Sequence, residues 1–223
     1  MKCFSIAILL CTFANTSFVE NTKTIQLAEV AQHSIDQSKL TSPGSAPFHL
    51  KAEIVETTNP GSDYKAEIEE YGASPEKWRR TIVSPGFSQT LTVNGDQISE
   101  QNKGDYFPWW LNDLVTAIFD PVPMLDSLKK VNAPMQKPSG SQRSNSCARL
   151  QMKVGAPPAE NSAFLVFCCE GSRGLLESVI TPAYDAEFKD YADFKNIKVA
   201  RRFVINPEPG TTIEAKITQL EEL

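Results

Sequence analysis

Apolar residues recur at every second position through most of this chain, and no other feature constrains its fold as strongly. Phe48, Leu50, Ala52 and Ile54 alternate with His49, Lys51, Glu53 and Val55. A period of two belongs to an extended strand with one face buried and the other wet. After Asn59-Pro60-Gly61 the alternation returns, with Tyr64, Ala66 and Ile68 set against Lys65, Glu67 and Glu69. Trp78, Arg80 and Ile82 make a third strand, entered through Ser74-Pro75. Residues 87–93 make a fourth, and Asn94-Gly95-Asp96 is a hairpin turn into a fifth. The alternation resumes at Cys147, with candidate strands over 147–154, 163–169, 174–181, 185–192, 196–206 and 211–220. The total is about eleven strands, with no internal repeat.

Two stretches follow the helical period instead. Residues 25–39 carry Ile25, Ala28, Ala31 and Ile35 on one face and end at Thr41-Ser42-Pro43-Gly44. Residues 105–119 carry Phe107, Trp110, Leu111, Leu114, Val115 and Ile118 at helical spacing. Pro108 suits a first turn and Asp120-Pro121 a stop. A short helix is predicted over 124–131, and 132–146, rich in Ser, Gln, Pro and Asn, reads as a mobile loop. An apolar sheet face must be covered, and the helices at 25–39 and 108–119 are the covers at hand. The expected fold is mainly β, in the α+β sense: a single curved antiparallel sheet forming a half-barrel. An N-terminal helix and a central helical insert cover it.

The amino terminus reads as an address. Met1-Lys2 gives a short positive start, and residues 4–13 are apolar apart from Ser5 and Thr12. That is the pattern of a secretory signal, drawn over 1–19, with one mature domain over 20–223. The run is too short for a membrane span, which needs about 20 apolar residues, and no later stretch qualifies, so an integral membrane protein is not expected. The protein is expected to be exported and periplasmic. The alternatives are a secreted protein or one lipid-anchored through Cys11, although Leu10 is larger than lipoprotein processing prefers. Export leaves Cys147, Cys168 and Cys169 in the mature chain. A hairpin centred on Pro158 sets Leu150 opposite Val166 and Met152 opposite Phe164. The same register sets Cys147 opposite Cys169, close enough for a disulfide, and leaves Cys168 as a small buried residue. No zinc knuckle is spaced here.

Composition narrows the function. A net charge of −5 and a pI near 5.2 argue against broad binding to nucleic acid or anionic membrane. Two histidines exclude a histidine-rich metal site. There is no Gly-x-Ser-x-Gly elbow, phosphate loop or dinucleotide fingerprint. Neither an enzyme nor a cofactor is expected; a hydrolase using paired carboxylates such as Glu67 and Glu69 is the third choice.

The same residues resemble the bacterial lipoprotein-sorting family of the LolA/LolB type. A helix precedes the strand Phe48-His49-Leu50-Lys51-Ala52, and a long hairpin, a Pro-x-x-Trp step (Pro75 to Trp78) and the Asn94-Gly95 turn follow. Then come an aromatic helical insert and closing strands through Tyr191-Ala192-Asp193-Phe194, Arg201-Arg202-Phe203-Val204-Ile205 and 211–220. Related domains occur with envelope energy transducers of the TonB type and in envelope-stress regulators. The well-known carriers have an arginine before the proline of that step, where this chain has Ala73-Ser74. The resemblance implies non-enzymatic binding of a lipid, a lipidated protein or another apolar ligand by a monomer of the cell envelope. The alternative is a solid-cored module that binds or senses another envelope protein.

Candidates for the ligand-facing strands are Ile68, Trp78, Ile82, Leu91, Leu150, Met152 and Phe164, with Leu50, Ala52, Ile54, Ala66 and Val166 beside them. Trp110 and Leu114, with Leu111 and Ile118, are the candidates from the lid. Arg80 and Arg201 stand between apolar neighbours, so each needs a carboxylate, a ligand head group or the rim.

Overall fold

The computed structural model describes residues 27–42, 44–58, 62–105, 108–121, 146–154, 161–170 and 174–223. The expected signal segment over 1–19 and helix over 124–131 lie outside these residues, as do the expected loop over 132–146 apart from Ser146 and the side chains of Leu150, Met152 and Phe164. Helix α1 spans Leu27–Ser38. Strands β1 Phe48–Thr58, β2 Ser62–Ser74, β3 Lys77–Ser84, β4 Phe87–Asn94 and β5 Gln97–Gly104 follow. Helix α2, Leu111–Phe119, interrupts them. Then come β6 Ser146–Val154, β7 Asn161–Cys169, β8 Leu176–Ile180, β9 Asp185–Phe194, β10 Ile197–Glu208 and β11 Thr211–Glu222.

All eleven strands form one antiparallel sheet in the order β5-β4-β3-β2-β1-β11-β10-β9-β8-β7-β6. The first five strands build outward from β1 to the edge strand β5, and the last six build inward from the other edge, β6, to β11. The two halves join through β1 and β11, which pair along their whole lengths. No pairing joins β5 to β6 among the described residues, so the sheet is a half-barrel, as expected from its alternation.

The period-two pattern decides which side chains go in. Phe48, Leu50, Ala52 and Ile54 of β1, Ala66 and Ile68 of β2, Ile82 of β3 and Ile213, Ala215 and Ile217 of β11 are all buried. The intervening Lys51, Glu53, Lys65 and Glu67 are exposed. Gly72 lies opposite Phe48, and a β-carbon there would stand 2.4 Å from the Phe48 ring. The absence of a side chain therefore makes room for the phenylalanine. Gly95 opens the β4–β5 turn with φ of +60°, a conformation that glycine adopts at little cost.

Helix α2 forms where Leu111, Leu114 and Ile118 recur at three and four residues, and they face the sheet with Ala117 and Phe119. The Leu111 amide donates to the Pro108 carbonyl at 3.0 Å, which starts the first turn. Both helices lie against β10. In α1, Ser34 is buried and donates to the Gly174 carbonyl at 2.8 Å, which pins the helix to the segment between β7 and β8.

Two expectations are corrected. The disulfide joins Cys147 to Cys168, not to Cys169. The β6–β7 ladder closes at Val154 and Asn161, so its axis falls between Pro157 and Pro158 rather than on Pro158. That one-residue change opposes Leu150 to Leu165 and Met152 to Ala163, and turns one strand over relative to the other. Cys169 is instead the buried cysteine. Burial pushes its thiol up to about 12, and its sulfur lies 3.9 Å from the Ser34 hydroxyl. Such a thiol stays protonated and acts as a small apolar side chain.

Arg201 is the second correction. It is exposed rather than aligned with the apolar row of Val199 and Phe203. The β9–β10 ladder skips from Ala200–Tyr191 to Arg202–Lys189, with Asp190 at φ +56°. Val199, Phe203 and Ile205 keep one parity on the buried face, Ala200 is buried as well, and Arg201 alone breaks out of the row at the skipped pairing. The Arg201 guanidinium donates to the Ile217 carbonyl at 3.1 Å, beyond the point where the β10–β11 ladder begins at Arg202–Lys216.

Candidate functional site

The inward faces of β2 and β3 carry one charged pair. Register sets Glu70 opposite Arg80, between the pairs Ile68–Ile82 and Gly72–Trp78. Arg80 Nε donates to Glu70 Oε2 at 2.6 Å. The Glu70 side chain is 0% exposed and that of Arg80 11%. Burial pushes the Glu70 carboxyl up, with Arg80 opposing it, and pulls the Arg80 guanidinium down. Among the described residues Glu70 Oε1 has no hydrogen-bond partner. An unmatched buried acceptor costs about 1–3 kcal/mol, so its presence calls for a reason.

Helix α2 closes over this pair with an aromatic ring. The Arg80 guanidinium carbon lies 4.1 Å from the Phe119 ring centroid and 4.8 Å from that of Trp78, so the cation sits against both rings. The same end of α2 is tied to the segment after α1. Lys39 Nζ meets Asp120 Oδ1 at 2.8 Å, and the Thr41 hydroxyl donates to the Phe119 carbonyl at 3.3 Å.

From Arg80 an apolar strip runs outward over β3, β4 and β5. Leu91 lies opposite Arg80, Val93 opposite Trp78, and Ile98 opposite Val93. Cover falls away along it: Trp78, Leu91 and Val93 are half-buried and Ile98 is 72% exposed. Along the strip, Glu100 Oε1 accepts from Gln89 at 2.9 Å and from Asn102 at 2.8 Å, a small polar border. Beneath α2 the interior is filled: Ile68, Ile82, Trp110 and Leu114 are buried, and Tyr64 meets the Trp110 ring edge-on at 5.5 Å.

The predicted site residues therefore separate into groups. Trp78, Arg80 and Leu91 come together on the open strip. Ile68, Ile82, Trp110 and Leu114 pack in the core beside it. Arg201 is elsewhere. Four residues of the site were missed: Val93, which shares the parity of Leu91, Ile98 beyond the Asn94-Gly95 turn, Glu70 and Phe119. Glu70 was signalled by parity, since the inward series Tyr64, Ala66, Ile68 continues to position 70. Phe119 ends the predicted helix, but its meeting with Arg80 had no local signal.

The outer face of β1, β2 and β11 holds a second polar cluster. His49 is buried, with Nε2 2.9 Å from Glu69 Oε1 and Nδ1 3.0 Å from Glu221 Oε1. Its ring stacks on Tyr71 at 4.2 Å, and Lys51 and the Tyr71 hydroxyl also reach Glu69. Hydrogen bonds from His49 hold the carboxyls of Glu69 and Glu221 below the usual range. A depression of about 620 Å³ lies farther along these strands among Val55, Lys65, Glu67 and Val83, and one of about 500 Å³ lies by Asp36, Ser42, Phe194 and Asn196. Neither is lined by α2. No group of three or more His, Cys, Asp or Glu residues suited to a metal ion occurs among the described residues.

The half-barrel of eleven strands with two covering helices is a fold shared with solved structures. The chain is similar to a LolA superfamily protein from Nitrosomonas europaea, with a TM-score of 0.57 and 6% identity, over 89% of this chain and 94% of that one. It is also similar to a DUF1329 family protein from Desulfovibrio piger, with a TM-score of 0.52 and 10% identity, over 87% and 91% of the two chains. At such identities the likeness is one of fold. No family model matches the sequence. No curated protein matches it either.

Proposed function

We propose that this protein is an exported carrier or chaperone that binds the apolar chain of a lipid or lipidated protein without catalysis. The carrying observation is the strip of Trp78, Leu91, Val93 and Ile98, which continues the apolar interior past the end of α2 and is only partly covered. Each methylene withdrawn from water onto it is worth about 0.8 kcal/mol. The fold likeness supports this reading, since sheet and lid frame an apolar interior. The Cys147–Cys168 disulfide supports export, because such bonds persist in oxidising compartments. No described helix is long and apolar enough to cross a membrane.

The packed interior beneath α2 favours a second reading, a domain whose partner is another envelope protein. Native mass spectrometry before and after delipidation separates the two. A bound lipid or acylated peptide, lost in Leu91→Glu, supports the carrier. An apo mass with no uptake of added acyl chains supports the protein partner.

A further inference from the structure

An acyl chain laid along Trp78, Leu91 and Val93 brings its head group beside Arg80, which stands opposite Leu91. We infer that Glu70 and Arg80 form a head-group subsite that prefers an uncharged head bearing a carbonyl and a hydroxyl or amide donor over an ionised carboxylate or phosphate. This rests on the ligand-binding function proposed above.

Glu70 supplies the first half of the subsite. One carboxylate oxygen takes the Arg80 Nε bond, and the other, fully buried, takes none from the described residues. An ionised carboxylate only accepts, so what completes it is a donor. Arg80 supplies the second half. Among the described residues its terminal amino groups have no hydrogen-bond partner, and they can only donate. The Trp78 and Phe119 rings occupy positions against the guanidinium, which leaves its edge for an incoming acceptor. A monoacylglycerol or an N-acyl amide offers a carbonyl to that edge and an O–H or N–H to Glu70.

Charge excludes the alternative. Glu70 and Arg80 cancel, so an anion finds no net positive charge and meets a carboxylate within a few ångströms in a poorly screened interior. Because Glu70 Oε1 is buried, a head group reaches it only when the packing around the pair opens, and the Phe119 ring at the end of α2 lies against the Arg80 side of that pair. The Lys39–Asp120 pair resists that movement.

Calorimetric titration of the purified, delipidated protein at neutral pH tests the preference, with monolauroylglycerol, N-lauroylethanolamine and laurate as probes. The two uncharged lipids are expected to bind at least about tenfold tighter than laurate. In Glu70→Gln the amide supplies its own donor and leaves the Arg80 charge unbalanced, so the ratio is expected to collapse toward one. Laurate binding as tightly as the uncharged lipids to the unaltered protein overturns the inference, and so does an unchanged ratio in a folded Glu70→Gln protein. The comparison in the unaltered protein decides the matter if that variant does not fold. Uptake of none of the three probes overturns the ligand-binding function itself.

Discussion

Glu69 and Glu70 are neighbours with the same side chain, and the strand sends them to opposite faces of the sheet. Glu69 points outward, where His49, Lys51 and Tyr71 surround it and hold its carboxyl below the ordinary range. Glu70 points inward, where burial raises its carboxyl and a lone arginine answers it. Outside, water shares the work, and each contact is worth little. Inside, each charge depends on the other, and losing either strands its partner. One residue of register thus separates a replaceable surface network from a pair in which neither charge can be lost alone.

The strongest way to break that contrast is to remove the inner cation. Arg80→Met leaves Glu70 buried without its partner and is expected to cost about 3–5 kcal/mol in urea unfolding. The double variant Glu70→Leu with Arg80→Met is expected to recover most of this, because a filled apolar core does not need the pair. Glu70→Gln keeps the shape but loses the charge-assisted bond, at a cost of about 1.5–3 kcal/mol. His49→Leu, on the outer side, removes both carboxylate contacts and is expected to cost about 1 kcal/mol. Glu69→Gln is expected to cost less than about 1 kcal/mol at neutral pH, since Lys51 and Glu69 are both well exposed.

Acid sharpens the same contrast through opposite signs. The folded Glu69 carboxyl lies below the ordinary 4.5, so its contribution is present above that value and is lost as pH falls toward the folded pKa. The folded Glu70 carboxyl lies above 4.5, so stability declines as pH rises from there toward the folded pKa. Unfolding midpoints from about pH 3 to 7 should therefore show Glu69→Gln flattening the acid loss and Glu70→Gln removing the decline on the other side. Parallel profiles for the two variants would show that the faces do not differ in this way.

How much of this was legible follows from which interactions are local. Parity along β1, β2 and β3 is a local property, so the inward row and the need of Arg80 for a counter-charge could be read directly. The identity of that counter-charge was equally available, because position 70 shares the parity of Ile68, but Glu67 and Glu69 drew the reading to the wet face. The cysteine pairing depended on the turn between β6 and β7, where half a residue in the hairpin axis exchanges Cys168 for Cys169. Arg201 was misplaced because the local break in pairing at Asp190 and Arg201 leaves no mark in the hydropathy pattern. The contact of Phe119 with Arg80 joins residues far apart in the chain, so it was set by the packing of α2 on the whole sheet.

The cross-link between β6 and β7 also makes the two ends of the sheet unequal in time. At one margin Cys147 and Cys168 fasten the outermost strand to its neighbour, so that strand cannot peel away while the bond is intact. At the other margin β5 is exposed on both faces and, among the described residues, is paired with β4 alone. Amide protons of β5 should exchange with deuterated solvent well before those of β6, with opening spreading inward through β4 toward the Arg80 clamp. Reduction of the disulfide should abolish the lag at the β6 margin.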